Sequence, residues 1–470
     1  MQFPIRQTLT IMTTSTSQNT HETNTANNAS CTTISTILTL AIPTFGQLIA
    51  EPAFVLIDTA IVGHVGGQAL AGLSVGSTIV LTVVGLCVFL AYSTTSQVGR
   101  LLGAGKRREG LEAGVDSLWL AGIIGVVVSV MLFVIARPLC MSMGAQGSVL
   151  HNAVDYVRAV VFGIPGMLLV YAANGIFRGL QKVRITLVAA VAGAVLNTIL
   201  DLLFIIGFGW GVFGSGVATL ISQWFMAVVL IVPAVLWTRA EDARLKPRLS
   251  GVLSSAGDGA VLFVRTLALR ACLVANVVLT THMGVQVLAA YQVVNSSWNF
   301  VLNMLDAIGI AGQTLVAAQI GARHEREAMR LTRIAGRSGL CGGVAIGIGL
   351  MIAGWCASPL FSQSIEIQHL ITVGMMVIGV TLPLAGWMWA VDGILIGAGD
   401  YRYLALTCMA TAAIYVPCLA AIGWICDAVH ASSALRMALL WLAVNLLFVG
   451  LRAVFNGFRI RTSTWLHIEC

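Results

Sequence analysis

HVGGQALA, residues 64–71, returns as HMGVQVLA at residues 282–289, so that position 64 answers to position 282. The same offset separates GAGKRRE, residues 103–109, from GARHERE, residues 321–327. It also separates Pro165 from Pro383, and GIFRGLQKVR, residues 175–184, from GILIGAGDYR, residues 393–402. One offset kept without a gap over such a length marks a duplicated unit. The 470-residue chain is therefore two copies of one fold.

Which fold this is follows from the solvent. Hydrophobic residues make up 58% of the chain and charged residues 10%, against about 25% charged in soluble domains. Twelve apolar segments begin near residues 36, 68, 115, 152, 184, 212, 252, 286, 334, 369, 402 and 434, and about 20 apolar residues cross a bilayer as a helix. Backbone in lipid must satisfy its own hydrogen bonds, so the segments are helices. The expected fold is an all-α integral membrane protein of twelve transmembrane helices in two six-helix lobes. An even number of spans per copy sets both lobes the same way up, related by a pseudo-twofold axis along the membrane normal. The lobes are expected at 34–238 and 252–458, joined by a cytoplasmic linker at 239–251. The polar stretch TTSTSQNTHETNTANNAS reads as part of a disordered cytoplasmic tail over 1–33, and 459–470 as a second cytoplasmic tail.

The net charge of +7 has a place in this topology. Arg100, Lys106, Arg107 and Arg108 follow span 2; Arg178, Lys182 and Arg184 follow span 4; Arg239, Arg244, Lys246 and Arg248 follow span 6; the second half repeats the alternation. Loops after odd spans are nearly bare. The bias puts both termini in the cytoplasm of a chain in the cell (inner) membrane, and it accounts for the basic residues without a nucleic-acid partner. Ten cysteines, from Cys31 to Cys470, show no zinc spacing and lie mostly in apolar runs, where they serve as small packing residues. Neither a metal nor a cofactor is expected.

Two bundles facing each other enclose a central cavity near the midplane, the geometry for alternating access. Applying the repeat offset shows which polar groups only one copy carries: Asp58 answers to Asn276, Glu51 to Leu269, Asp201 to Leu419 and Asn197 to Tyr415. The acidic set belongs to the first half. Ionisable groups in a membrane span are costly and functional by default. Asp58 lies two turns beyond Glu51, provided Pro43 and Pro52 bend span 1 without ending it, and Asn197 and Asp201 are four apart on one face of span 5. Two carboxylates in one poorly hydrated site cannot both ionise cheaply, which makes them candidates for proton uptake. Thr219 and Tyr156 can supply hydroxyls to the same network, and Ser215 in FGSGVA reads as a small residue for close helix contact. Asp392 can meet a substrate cation or bond locally, as can Asp306; Arg265 and Arg270 in span 7 pair with an acid or snorkel. WMWAVDG, with Trp387 and Trp389, can line a pocket through cation-π contact or serve as packing.

The chain resembles the multidrug and toxic compound extrusion (MATE) family, in particular its DinF-like branch. The residues that carry the likeness are IPTFGQLIAEPAFVLIDTAIVGHVG in span 1, GRLLGAGKRRE after span 2, GIFRGLQKVR after span 4, LNTILDLLFIIGFGWGVFGSGVATL through spans 5 and 6, and DGILIGAGDYRY near span 10. The resemblance implies secondary active export of organic cations or amphipathic compounds, driven by protons or sodium ions as coupling ion and without ATP. It also implies an acidic site at Asp58, Asn197 and Asp201, with Thr219 as a nearby hydroxyl; Glu51, read from span 1 itself, is the further expected cation-coupling residue. Thr219, Tyr156, Asp392, Trp389 and Asn276 are the expected substrate-cavity residues. One chain holds both lobes, so a monomer suffices. Sodium at Asp58, Asn197 and Asp201 is the alternative to protons. A lipid-linked precursor flippase is a further alternative that calls for basic residues in the cavity, where Arg265 and Arg270 stand. An intramembrane aspartyl protease would use Asp400 in GAGD, which falls instead at a cytoplasmic turn.

Overall fold

A computed structural model describes residues 18–467, with side chains from residue 35 onward except Glu51. Among the described residues twelve helices are long and apolar enough to cross a membrane. They are α1 (Ser35–Gly63), α2 (Gly67–Gly103), α3 (Arg107–Ser142), α4 (Gly147–Gly179), α5 (Val183–Gly207), α6 (Gly211–Ala240), α7 (Leu249–His282), α8 (Val285–Gly321), α9 (Glu325–Cys356), α10 (Ile365–Ala398), α11 (Tyr401–Ala428) and α12 (Ser433–Arg461). The repeat read from sequence recurs in the helix starts. Gly67, Arg107, Gly147 and Val183 each open a helix, and their repeat mates Val285, Glu325, Ile365 and Tyr401 open the corresponding ones in the second lobe. α3 and α9 begin ahead of their apolar segments, because the charged turns at Arg107 and Glu325 continue the helix beyond the hydrocarbon stretch.

Three expected boundaries shift. α1 belongs to a helix that runs unbroken from Gln18 to Gly63 through Pro43 and Pro52, so residues 18–33 of the expected tail are helical, since adding residues to an existing helix avoids the cost of nucleation. Residues 1–17 of that tail lie outside the described residues. The linker is short, because α6 continues to Ala240 and α7 starts at Leu249. It is held against α3: Arg248 N–H donates to Asp116 (2.8 Å), Arg244 N–H donates to Glu112 (3.1 Å), and Arg107 pairs with Glu241 (2.7 Å). At the other end, Trp465 and Leu466 are buried against the body of the protein, so the expected second tail folds back as far as it is described.

The lobes meet along two pseudo-symmetric seams. Phe45 of α1 sets its ring edge-on to Phe300 of α8, and Phe263 of α7, the repeat mate of Phe45, does the same to Phe89 of α2; both pairs have centroids 6.3 Å apart. Nearer the end that carries the basic loops, α2 and α8 cross with almost no space between them. A Cβ on Gly103 would lie 1.9 Å from the Ala318 carbonyl oxygen, and one on its repeat mate Gly321 would lie 1.8 Å from that of Arg100. Cross-lobe hydrogen bonds gather on the adjoining stretch of α2. Tyr92 donates to Asp306 (2.9 Å), Ser96 to the Gly397 carbonyl (2.8 Å), Gln97 to Asp258 (3.0 Å) and Arg100 to the Ala398 carbonyl (3.3 Å). The lobes are thus closed together at the basic end.

Inside the second lobe, Gly339, Gly343 and Gly347 follow one face of α9 and press on the α10 backbone at Gly386, Leu382 and Gly379. Lipid gives helices no hydrophobic reason to associate, so contact this close, with dispersion along the whole seam, holds the pair. A methyl on Gly386 would sit 2.0 Å from the Gly339 carbonyl oxygen, whereas one on Gly349 meets nothing within 4 Å. Gly386→Ala is expected to destabilise the protein by about 1–3 kcal/mol through overpacking, and Gly349→Ala to be neutral or slightly stabilising. Thermal unfolding in detergent micelles checks this; equal midpoints for the two variants would contradict it.

Candidate functional site

Asp58 sits on α1 near its bare end, and Asp201 on α5 just before the helix widens into a π-helical turn at Leu202–Gly207. Such turns interrupt the regular ladder and recur at functional sites. Close approach of the neighbouring helices seals the place. A Cβ on Gly216 of α6 would meet Ala159 at 2.7 Å, one on Gly76 of α2 would meet the Tyr156 ring at 2.7 Å, and one on Gly193 of α5 would meet Met226 at 2.3 Å. Phe204 stacks on Trp210 (5.2 Å) and on Phe208 (5.8 Å), which sets an aromatic cap beside Asp201 at the bare end.

Within this enclosure Asp58 and Asp201 stand near Tyr156 and Thr219, and Asn197 is one turn before Asp201 on α5. Asp58 is 5% exposed and Asp201 0%. They lie within charge–charge range of each other and of Tyr156, whose phenol sits beside Thr219. Ser215 donates to Asp58 Oδ1 at 2.7 Å. Asp201 has no such donor: both of its carboxyl oxygens, and both the oxygen and the nitrogen of the Asn197 side chain, are buried without a hydrogen-bond partner. A carboxylate taken out of water without donors is strongly disfavoured, and binding a proton or a cation relieves it. Glu51 stands in the α1 backbone two turns before Asp58, and its side chain lies outside the described residues. Ser215 was legible only as a small residue, yet it stands four positions before Thr219, so the same helical period selects both.

The second lobe carries uncharged repeat mates at these positions. Tyr415, mate of Asn197, donates to Asn276, mate of Asp58, at 2.5 Å, both fully buried between α7 and α11. Asn276 is therefore part of a packing pair inside the lobe, where a substrate-cavity position was expected. Asp392 differs from expectation too. Arg265 and Arg452 (3.1 Å) both pair with it, and Asn456 donates to it at 3.2 Å, so in this arrangement its charge is matched within the protein. Trp389, expected to offer its face to a flat cation, has Arg452 over its ring at 5.2 Å and Trp298 edge-on at 6.3 Å. Partner choice among three distant spans decides these contacts, and no local spacing announces it. Asp306 accepts from Tyr92 of the other lobe, a bond across the seam rather than within its own span. Asp400 is held by Arg459 at 2.5 Å beside the turn that precedes α11.

The sequence profile of the MatE family matches residues 43–203 and 250–421, one copy in each lobe. The chain belongs to the MatE family. MATE proteins are transporters, not enzymes, and need no cofactor. Among curated relatives the chain is 26% identical over 493 residues to Protein DETOXIFICATION 43 of Arabidopsis thaliana, covering 91% of this chain and 90% of that one. It is 26% identical over 424 residues to DNA damage-inducible protein F of Escherichia coli, covering 88% and 89%. Among solved structures, the Vibrio cholerae MATE transporter VcmN in the bent form superposes with a TM-score of 0.83 at 18% identity, over 93% of this chain and 99% of that one. The protein is a multi-pass membrane transporter of the multidrug and toxin efflux type.

Because the Ser215 hydroxyl bonds a carboxylate, removing it leaves a buried acceptor short of a donor, at a cost of about 1–3 kcal/mol. Ser215→Ala is expected to lower unfolding stability by that order in the Asp58 protein and far less when Asp58→Asn is already present. A double-mutant cycle measured by unfolding in micelles checks this; equal costs in both backgrounds would contradict the bond.

Proposed function

We propose that this MATE transporter exports small organic cations or amphipathic compounds across the cell (inner) membrane, with both termini cytoplasmic, in exchange for protons taken up at Asp58 and Asp201. The observation that carries the reading is the Asp201 carboxyl group, wholly buried beside a second acid with neither oxygen hydrogen-bonded. Such a group holds its charge only while a counter-cation is near, and otherwise holds a proton. Substrate cation and proton then alternate on one acidic site, and a gradient of one drives the other because the two states of the protein bind them with different affinity. The basic end, where α2 and α8 cross at Gly103 and Gly321, corresponds to the cytoplasmic side, so this arrangement is the outward-facing half of the cycle. One chain carries both lobes and works as a monomer.

A sodium-driven cycle is the second reading, favoured by one feature. Asn197 Oδ1 and the two Asp201 oxygens are three unpaired oxygens on one helix face, the donor type a hard cation selects. The flippase alternative is less well supported, because Arg265, the buried basic group it would need for a phosphate, is committed to Asp392.

Vesicles reconstituted with the protein and loaded with ethidium, under an imposed pH gradient and with or without sodium, separate the two ions. Export is expected to follow the pH gradient in sodium-free buffer and to be lost in Asp58→Asn and in Asp201→Asn, both of which should still purify as folded protein. Full export by either variant, or export that requires sodium, would overturn the proton assignment.

A further inference from the structure

Between α10 and α12 the second lobe carries a groove of ≈ 460 Å³, lined by Leu384 and Trp387 of α10 and, on α12, by Leu446, Gly450, Gly457 and Arg461. These α12 residues follow at intervals of four, seven and four, which keeps them on one helix face. From Leu446 to Arg461 that face rises about 22 Å at 1.5 Å per residue, enough to cross one leaflet of a hydrocarbon core about 30 Å thick and reach the headgroups. Leu446 and Phe458, at its margins, are 51% and 62% exposed, so the groove lies open to the bilayer.

Missing side chains give the groove its depth. A Cβ on Gly457 would stand 3.3 Å from the Trp387 ring, and one on Gly450 would stand 3.9 Å from Leu384. On its other side the Trp387 indole meets Gly336 of α9, where a Cβ would lie 3.2 Å from its Nε1, so the ring bridges α9 and α12 and floors the groove. Of the two tryptophans in WMWAVDG, Trp389 is taken up by Arg452, and Trp387 is the one that opens to lipid. The groove is apolar until its basic end, where it meets a charge. Arg461, the last residue of α12, is exposed and holds its guanidinium over the Phe458 ring at 6.0 Å. Its neighbour Arg459 is committed to Asp400 and Thr464, whereas Arg461 forms no ion pair among the described residues.

We propose that this groove binds an anionic phospholipid from the leaflet at the basic end, with its phosphate on Arg461 and one acyl chain laid along Gly457 and Gly450 against Trp387. An apolar furrow of one leaflet's depth, closed at the membrane surface by an unmatched guanidinium, is complementary to an acyl chain that ends in a phosphate. The guanidinium fork suits phosphate oxygens, and anionic lipid is drawn to basic groups at this depth. The chain supplies dispersion contacts to Leu384 and Trp387 on the side where the glycines provide none. The site stands in the lobe without the acidic pair and does not depend on which ion drives transport.

The test uses lipids brominated on their chains, because bromine quenches an indole that it touches. The purified protein is placed in phosphatidylcholine nanodiscs in which a varied fraction of the lipid is brominated phosphatidylglycerol or, in the parallel series, brominated phosphatidylcholine. The difference between the wild type and Trp387→Phe isolates this ring from the other tryptophans. Trp387 is expected to be half-quenched by brominated phosphatidylglycerol at roughly one-fifth of the mole fraction that brominated phosphatidylcholine requires. Arg461→Gln is expected to remove that preference while leaving quenching by bulk lipid, and Gly457→Leu, which fills the groove, to weaken quenching by both lipids. Arg461→Gln is a surface change and carries the test alone should Gly457→Leu fail to fold. Equal quenching by the two lipids in the wild type, or a preference that survives Arg461→Gln, would reduce the groove to ordinary bilayer contact and overturn the proposal. Quenching by neither lipid would also overturn it, and wild-type dimers in micelles that Gly457→Leu dissociates would then identify a second copy of the chain as the occupant.

Discussion

A buried carboxyl group without hydrogen-bond donors is the constraint around which this protein is organised. Asp201 is fully enclosed, its two oxygens are unpaired, and a second acid stands within charge range. In a medium of low dielectric such a group does not remain a lone anion. Either it carries a proton or it has a cation for company, and a protein that alternates between those two conditions links the movement of one to the movement of the other. Glycines at 76, 193 and 216 let the neighbouring helices pack closely around it, and the aromatic cap of Phe204, Phe208 and Trp210 stands beside the acid at the bare end.

Duplication makes the division of labour visible. Two lobes of one ancestry solve the same packing problem, so a difference between mates is informative where a single polar residue would not be. Asp58 and Asn197 are answered by a hydrogen-bonded Asn276–Tyr415 pair, and the uncharged Gln47 and Asn174 by the Arg265–Asp392 ion pair. The second lobe thus holds its buried Asp392 between two arginines, where the first lobe holds two acids with no cation beside them. Their present contact at the basic end rests on backbone-to-backbone packing at Gly103 and Gly321 and on hydrogen bonds from one stretch of α2. None of these contacts pairs opposite charges across the seam.

Much of this was legible in the sequence because the signals were of kinds that a single chain preserves. Apolar length fixes a membrane span, one constant offset fixes the repeat, and the starts of α2 to α5 and α8 to α11 keep that offset residue for residue. Polar residues in apolar segments stand out, which is why Asp58, Asn197 and Asp201 draw attention in the sequence. Other features resisted for physical reasons. Whether Asp392 meets a ligand or a guanidinium depends on rotamers contributed by α7 and α12, and spacing along α10 says nothing of them. Ser215 was visible but ambiguous, since a small residue beside two glycines packs helices as readily as it donates a hydrogen bond.

Infrared difference spectroscopy on the purified protein as pH is changed, with and without ethidium, in the wild type and in Asp201→Asn, bears on the acidic site without intermediary. A protonated-carboxyl stretching band is expected in the substrate-free wild type, diminishing when ethidium binds and reduced in the variant. A wild-type spectrum with no protonated carboxyl in the substrate-free state, or a band unchanged by both ethidium and Asp201→Asn, would contradict the alternation of proton and cation on one site.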